Sequence, residues 1–151
     1  MNAVRTAALP PMPSTTPAGS RVVAIGMLRV LLLGEALLAI ILAIGLSMLA
    51  SALRDFLGGE AGQSAEQTVR FAAGFSFLFA IFAAFASRGA RRRRAWSWTL
   101  AAFLQLILAI GTGIAILTAT WHPAYLLGFA LAAIVMLVLS TPSVRRALGQ
   151  E

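Results

Sequence analysis

From Ala95 to Val144 the chain runs 50 residues without a formal charge. A soluble domain carries about 25% charged residues, spread over its surface. A single helix of 50 residues would extend about 75 Å, against about 30 Å for the hydrocarbon core of a bilayer. The run must therefore be divided. It carries a break at Thr120-Trp121-His122-Pro123. Proline opens a helix well and interrupts one badly. The reading is one apolar helix from Trp96 to Thr118 and another from Ala124 to Ser140, stopped by Pro142 and followed by Arg145 and Arg146. A short turn at 119–123 returns the chain to the side it came from.

Two further segments have the length of a span, which is roughly 17–25 residues. One runs from Val30 to Leu53, with Arg29 and Arg54 at its ends. The other runs from Phe71 to Ser87, between Arg70 and Arg88. Composition agrees: 60% of the 151 residues are apolar, 11% are charged and mean hydropathy is +0.88. The expected fold is all-α, a polytopic membrane protein with four transmembrane helices in an antiparallel bundle. Residues 1–21 read as a disordered cytoplasmic tail, 22–141 as the four-helix domain and 142–151 as a second cytoplasmic tail. Residues 1–20 hold four of the six prolines and no apolar periodicity. They lack the basic start and apolar core of a secretory signal, so the first span is expected to be a retained anchor.

Charge orients the bundle. All 12 basic residues are arginines, for a net charge of +7. With the N-terminus inside, Arg5, Arg21, Arg29, Arg88, Arg91 to Arg94, Arg145 and Arg146 lie in the cytoplasm, and Arg54 and Arg70 lie outside. Ten against two is a strong positive-inside bias. Asp55, Glu60 and Glu66 are expected to share the outer loop with those two. Trp96 and Trp98 fall at the inner interface, and Trp121 and Tyr125 at the outer, as aromatic belts require. The expected location is the cytoplasmic (inner) membrane, with both termini cytoplasmic. Arginine without lysine, beside 30 alanines, matches the codon usage of a high-GC bacterial genome. The charges punctuate apolar runs and form no basic face on a soluble domain, which argues against nucleic acid as a partner. Arg88, Arg91, Arg92, Arg93 and Arg94 are read as a topology signal in contact with anionic lipid headgroups.

Helices in lipid associate through small residues and a few polar contacts. Stepping every fourth residue, the first span offers Glu35, Ala39, Ala43, Ser47 and Ser51, and the second Ala72, Ser76, Ala80 and Ala84. The third offers Ala101, Gln105, Ala109 and Gly113, and the fourth Ala124, Gly128 and Ala132. These faces are expected to point inward. Phe71, Phe75, Phe79 and Phe82 lie opposite the second stripe, towards lipid or a partner.

Glu35 is the candidate intramembrane site, with Gln105 as its expected hydrogen-bond partner. An acid within a span is costly and faces a bundle interior. It either joins helices or carries a proton or cation, and the joining role is the preferred reading. No catalytic, cofactor or metal site is expected. The single histidine, His122, has no second His or Cys to share a metal. The spacing of Asp55, Glu60 and Glu66 matches no calcium loop, and Ser76 has no base at its depth. The chain is therefore read as a non-enzyme, an interaction or accessory component with a membrane-protein partner or a second copy of itself.

Arg93-Arg94-Ala95-Trp96, Gln105-Leu106, the proline-containing turn and the closing Thr141-Pro142-Ser143-Val144-Arg145-Arg146-Ala147-Leu148 resemble small four-span integral membrane proteins of actinobacteria, families of unknown function. The resemblance covers about residues 29–148 and implies the fold and the kind of host, with no activity. Small multidrug exporters are also short four-span proteins with a functional glutamate in the first span. Only Glu35 carries over, and it lies nearer one end than that pattern suggests. The strong arginine bias also departs from exporters that insert both ways. A small proton-coupled transporter using Glu35 is the alternative reading.

The arginine asymmetry makes a topology prediction. Reporters fused after Glu151 or within 89–94 should read cytoplasmic, and an export reporter should be active only at 56–66 or 119–123. Export activity at the C-terminus would refute the orientation.

Overall fold

The computed structural model describes residues 18–118 and 123–150. The described residues form five helices and no strand: α1 (Ala18–Leu57), α2 (Gly59–Arg91), α3 (Ala95–Thr118), α4 (Pro123–Ser140) and α5 (Pro142–Ala147). Three of them, α1 to α3, are long and apolar enough to cross a membrane. The tail reading for residues 1–17, and Trp121 and His122 of the expected turn, lie outside the described residues.

The connections are shorter than the sequence suggests. α1 and α2 reverse at Gly58 and Gly59, whose φ angles of 61° and 54° lie in the left-handed region that costs glycine least. A Cβ on Gly62 would meet the Arg54 carbonyl oxygen at 2.9 Å, so glycine also permits the close return. The outer loop expected around Asp55, Glu60 and Glu66 is therefore helix on both sides of one tight turn. Helix α1 likewise starts at Ala18, inside the stretch expected to be tail.

α2 ends in a reversal of the Schellman type, in which the Arg94 N–H reaches the Gly89 carbonyl (3.2 Å) and the Arg93 N–H the Ala90 carbonyl (3.1 Å). Arg93 takes the left-handed position, φ 51°, usually held by glycine. α5 ends in the same way, with Gly149 at φ 71° in that position. The segment expected to be a C-terminal tail is thus ordered: α5 buries Val144, and Leu148 just beyond it is buried with it.

α1 and α2 pack along their length on a seam with alternating steps of three and four residues. On α1 it contains Ala36, Ala39, Ala43, Leu46, Ala50 and Leu53, buried or half-buried throughout. On α2 it contains Gly62, Glu66, Val69, Ala73, Ser76, Ala80, Ala83, Ser87 and Ala90. This is the 3.5-residue repeat that keeps two long helices in register. The four-residue stripes expected from the sequence drift off it. Each step of four rotates about 40° on a 3.6-residue helix, so a stripe leaves the contact after two or three steps. Ser47, Ser51, Ala72 and Ala84 are accordingly exposed, Ser76 is half-buried, and Ala43 and Ala80 are buried. Ser47 and Ser51 donate to the carbonyls of Ala43 and Met48 in their own helix (2.8 Å each). Phe79, expected on the outer face, is buried against Ala36, Ala83 and Leu104, while Phe71, Phe75 and Phe82 are exposed.

α3 and α4 form the second hairpin, and Gly128 marks its close approach: a Cβ there would meet Thr112 Cγ2 at 2.9 Å. The two hairpins share most of their core towards the end that carries Arg29, Arg88 and Arg91. There Leu28, Leu32, Ala86, Ala90, Ala101, Val135, Leu139, Val144 and Leu148 form one cluster. The cluster of Ala36, Phe79, Ala83 and Leu104 continues it to the level of Gln105. Trp98 ties α3 to α4 by donating to the Leu139 carbonyl at 3.1 Å, one of the end carbonyls that α4 cannot satisfy internally. Past Gln105 no residue of α3 is buried, nor is any described side chain of α4 before Ala132. The hairpins are joined at the arginine end and part towards the other.

Overpacking should follow this map. Ala80→Leu and Gly128→Leu should each cost roughly 1–3 kcal/mol, and Phe75→Leu on the exposed face less. Thermal unfolding in mild detergent measures all three, and equal losses would refute the assigned faces.

Candidate functional site

Where the hairpins begin to part, Glu35 and Gln105 meet. Glu35 extends the inner face of α1 between Leu32 and Ala39, and Gln105 follows Ala101 and Leu104 on the buried face of α3. Both are buried, at 3% and 0% exposure. Gln105 Nε2 donates to Glu35 Oε2 at 2.6 Å. The pairing expected from the sequence is therefore formed, across helices 70 residues apart in the chain.

The two remaining oxygens, Glu35 Oε1 and Gln105 Oε1, are buried with no partner. An amide oxygen can only accept. A carboxylate can only accept, whereas a neutral carboxyl also donates. The pair thus has two unused acceptor oxygens, one of which, on Glu35, could also take a proton. On the side of the pair where the hairpins separate lies a cavity of about 370 Å³. Glu35 lines it together with Leu42, Phe79, Leu108, Gly128 and Leu131. Its walls are almost wholly apolar, so Glu35 meets no file of polar side chains there.

The arginines of the 88–94 segment do not act as one patch. Arg88 and Arg91, three residues apart on α2, line a crevice with Arg29 of α1. Arg92 and Arg94 lie beside Trp96 around a smaller hollow that Arg88 also borders. Arg93 forms the left-handed cap of α2. In the sequence Arg29 marks only the end of the first span and its orientation. The spacing of Arg88 and Arg91 was visible, but the register that brings Arg29 beside them belongs to the α1–α2 pairing.

A second charged contact joins α1 and α2 near the Gly58 reversal. Glu66, buried on the α2 seam, holds Arg70 at 2.7 Å and Arg54 of α1 at 3.5 Å. Its four-residue spacing to Arg70 was a signal. The bond to Arg54 needs the hairpin.

No family model, curated protein or solved structure matches this chain.

Removing one member of the buried pair strands the other. Glu35→Ala and Gln105→Leu should each destabilise the bundle by about 1–3 kcal/mol, and Glu35→Gln, which can still accept from Gln105, by less. A double-mutant cycle on unfolding in detergent should give a coupling of about 0.6–1.7 kcal/mol. Zero coupling would show that the two side chains do not interact.

Proposed function

We propose that this chain is a multi-pass protein of a bacterial cytoplasmic membrane, with four spans and both termini in the cytoplasm. Its proposed role is that of a non-enzymatic interaction or accessory component. The length of α4, 18 residues or about 27 Å, supports a fourth crossing of a core about 30 Å thick. Trp96 and Trp98 beside the arginine end, and Tyr125 towards the other, match the interfacial placement of aromatic side chains. The arginine count of the ends supports the orientation. Arg54 and Arg70, the two arginines of the other end, are both bonded to Glu66.

The observation that carries the accessory role is the Glu35–Gln105 bond. The one carboxyl deep in the bundle is engaged in a contact between helices, next to apolar walls, and so acts to hold α1 against α3. A second reading, a small proton-coupled transporter, draws on a different fact. Glu35 Oε1 has no partner, and Glu35 borders a cavity large enough for a small apolar molecule.

Reconstituted vesicles separate the two. With a pH gradient imposed and tetraphenylphosphonium as the probe, the accessory role predicts no gradient-driven uptake above empty vesicles, and Glu35→Gln should behave as wild type. Uptake that requires the gradient and disappears in a stably folded Glu35→Gln variant would establish the transporter instead.

A further inference from the structure

Among the described residues the three arginines that meet at the crevice between α1 and α2 have no counter-charge. Among the described residues none of Arg29, Arg88 and Arg91 has a carboxylate within salt-bridge distance. The chain does pair arginine with acid elsewhere, since both Arg54 and Arg70 are held by Glu66. At the arginine end Arg29 is half-buried, and its Nε is buried without an acceptor. A buried guanidinium nitrogen with no acceptor is costly, and three like charges around one hollow repel. Both costs are relieved by an anion in the crevice.

The shape of the crevice says which kind of anion. It measures about 540 Å³ and is charged at one end only. From the arginines it runs along Leu33 of α1 and Ile81 and Phe85 of α2, all exposed on the outer face of the hairpin. Along α2, Ile81 lies seven residues, about 10 Å, from Arg88. A free phosphate would use the charged end and leave the apolar floor uncovered. A molecule with a phosphate at one end and a hydrocarbon chain at the other uses both. Guanidinium groups suit phosphate oxygens because they donate in a planar fork.

We propose that this crevice binds one anionic phospholipid, with its phosphate among Arg29, Arg88 and Arg91 and one acyl chain along Leu33, Ile81 and Phe85. The proposal rests on the membrane placement above, which puts these arginines at the headgroup level of the cytoplasmic leaflet. It differs from general attraction of a basic loop to that leaflet in two ways. It includes Arg29, from the other end of the hairpin sequence, and it leaves out Arg92 and Arg94.

The test uses the full chain in nanodiscs of phosphatidylcholine containing a minor fraction of phosphatidylglycerol, with native mass spectrometry counting retained lipid. Wild type should keep one phosphatidylglycerol in preference to phosphatidylcholine. A basic side chain near an anionic leaflet contributes roughly a fivefold change in binding. The Arg29→Gln/Arg91→Gln variant should therefore bind about 25-fold more weakly. Arg92→Gln/Arg94→Gln removes the same charge from the neighbouring hollow and should stay within about twofold of wild type. Thermal unfolding checks that each variant is folded, and added phosphatidylglycerol should raise the midpoint of wild type only where the crevice is intact. Equal losses in the two double variants would overturn the proposal in favour of diffuse attraction. Displacement of the lipid by millimolar inorganic phosphate would overturn it in favour of a free-anion site. A chain that fractionates away from membranes refutes the placement itself, whereas a membrane-integrated chain without lipid preference refutes only the crevice.

Discussion

The close contact between α1 and α2 is the constraint on which the remainder of the molecule depends. Its seam on α2 contains, besides Gly62, six Ala and Ser residues from Ala73 to Ala90, and alanines dominate it on α1. Small side chains let two backbones approach along many turns, and in a lipid-like surrounding that approach replaces the hydrophobic drive that joins helices in water. The 3.5-residue repeat keeps the contact continuous over helices of 40 and 33 residues. Once the seam is set, the register of everything on α1 and α2 is set with it. Arg29 comes beside Arg88 and Arg91, Arg54 comes beside Glu66, and Glu35 is turned towards the second hairpin.

The second hairpin is attached over a shorter distance. Larger side chains, among them Leu28, Leu32, Val135, Leu139 and Leu148, fill the joint at the arginine end. Beyond it the facing surfaces separate, and the Glu35–Gln105 bond stands at the point of separation. A buried polar bond in that place has a steric consequence. It joins α3 to α1 beside the buried cluster of Ala36, Phe79, Ala83 and Leu104, and a cavity lies next to it. The same local geometry therefore supplies the support for an accessory role and the opening on which the transporter reading depends.

The charges at the two ends behave differently because the acids are distributed unevenly. Asp55, Glu60 and Glu66 all lie near the Gly58 reversal, and Glu66 is shared between the two arginines within its reach. The arginine end has no acid of its own among the described residues apart from Glu35, which is bonded to Gln105. Among the described residues Arg29, Arg88 and Arg91 there have no carboxylate within salt-bridge distance. A bias in arginine count thus becomes a difference in chemistry between the ends, with three of those arginines gathered around one amphipathic crevice.

Much of the architecture was legible in the residues themselves. Apolar runs between arginines marked the helices, Pro123 marked where the fourth starts and Pro142 where it stops, and the lone glutamate in the first run and the glutamine in the third were recognisable as partners. These features are local or depend on composition, so one chain suffices to read them. Face assignments were less legible. Four-residue stripes placed Ser47, Ala72 and Ala84 inside and Phe79 outside, because a step of four drifts around a helix while the true contact repeats every seven residues. The extent of α1 and α2, the ordering of α5 and the three-arginine crevice came only with the tertiary structure. Each depends on which residues of another helix lie alongside: Arg54 above Gly62, Leu28 and Leu32 under Leu148, Arg29 beside Arg88. Sequence distance carries no information about such neighbours, and the packing of the two hairpins decides them.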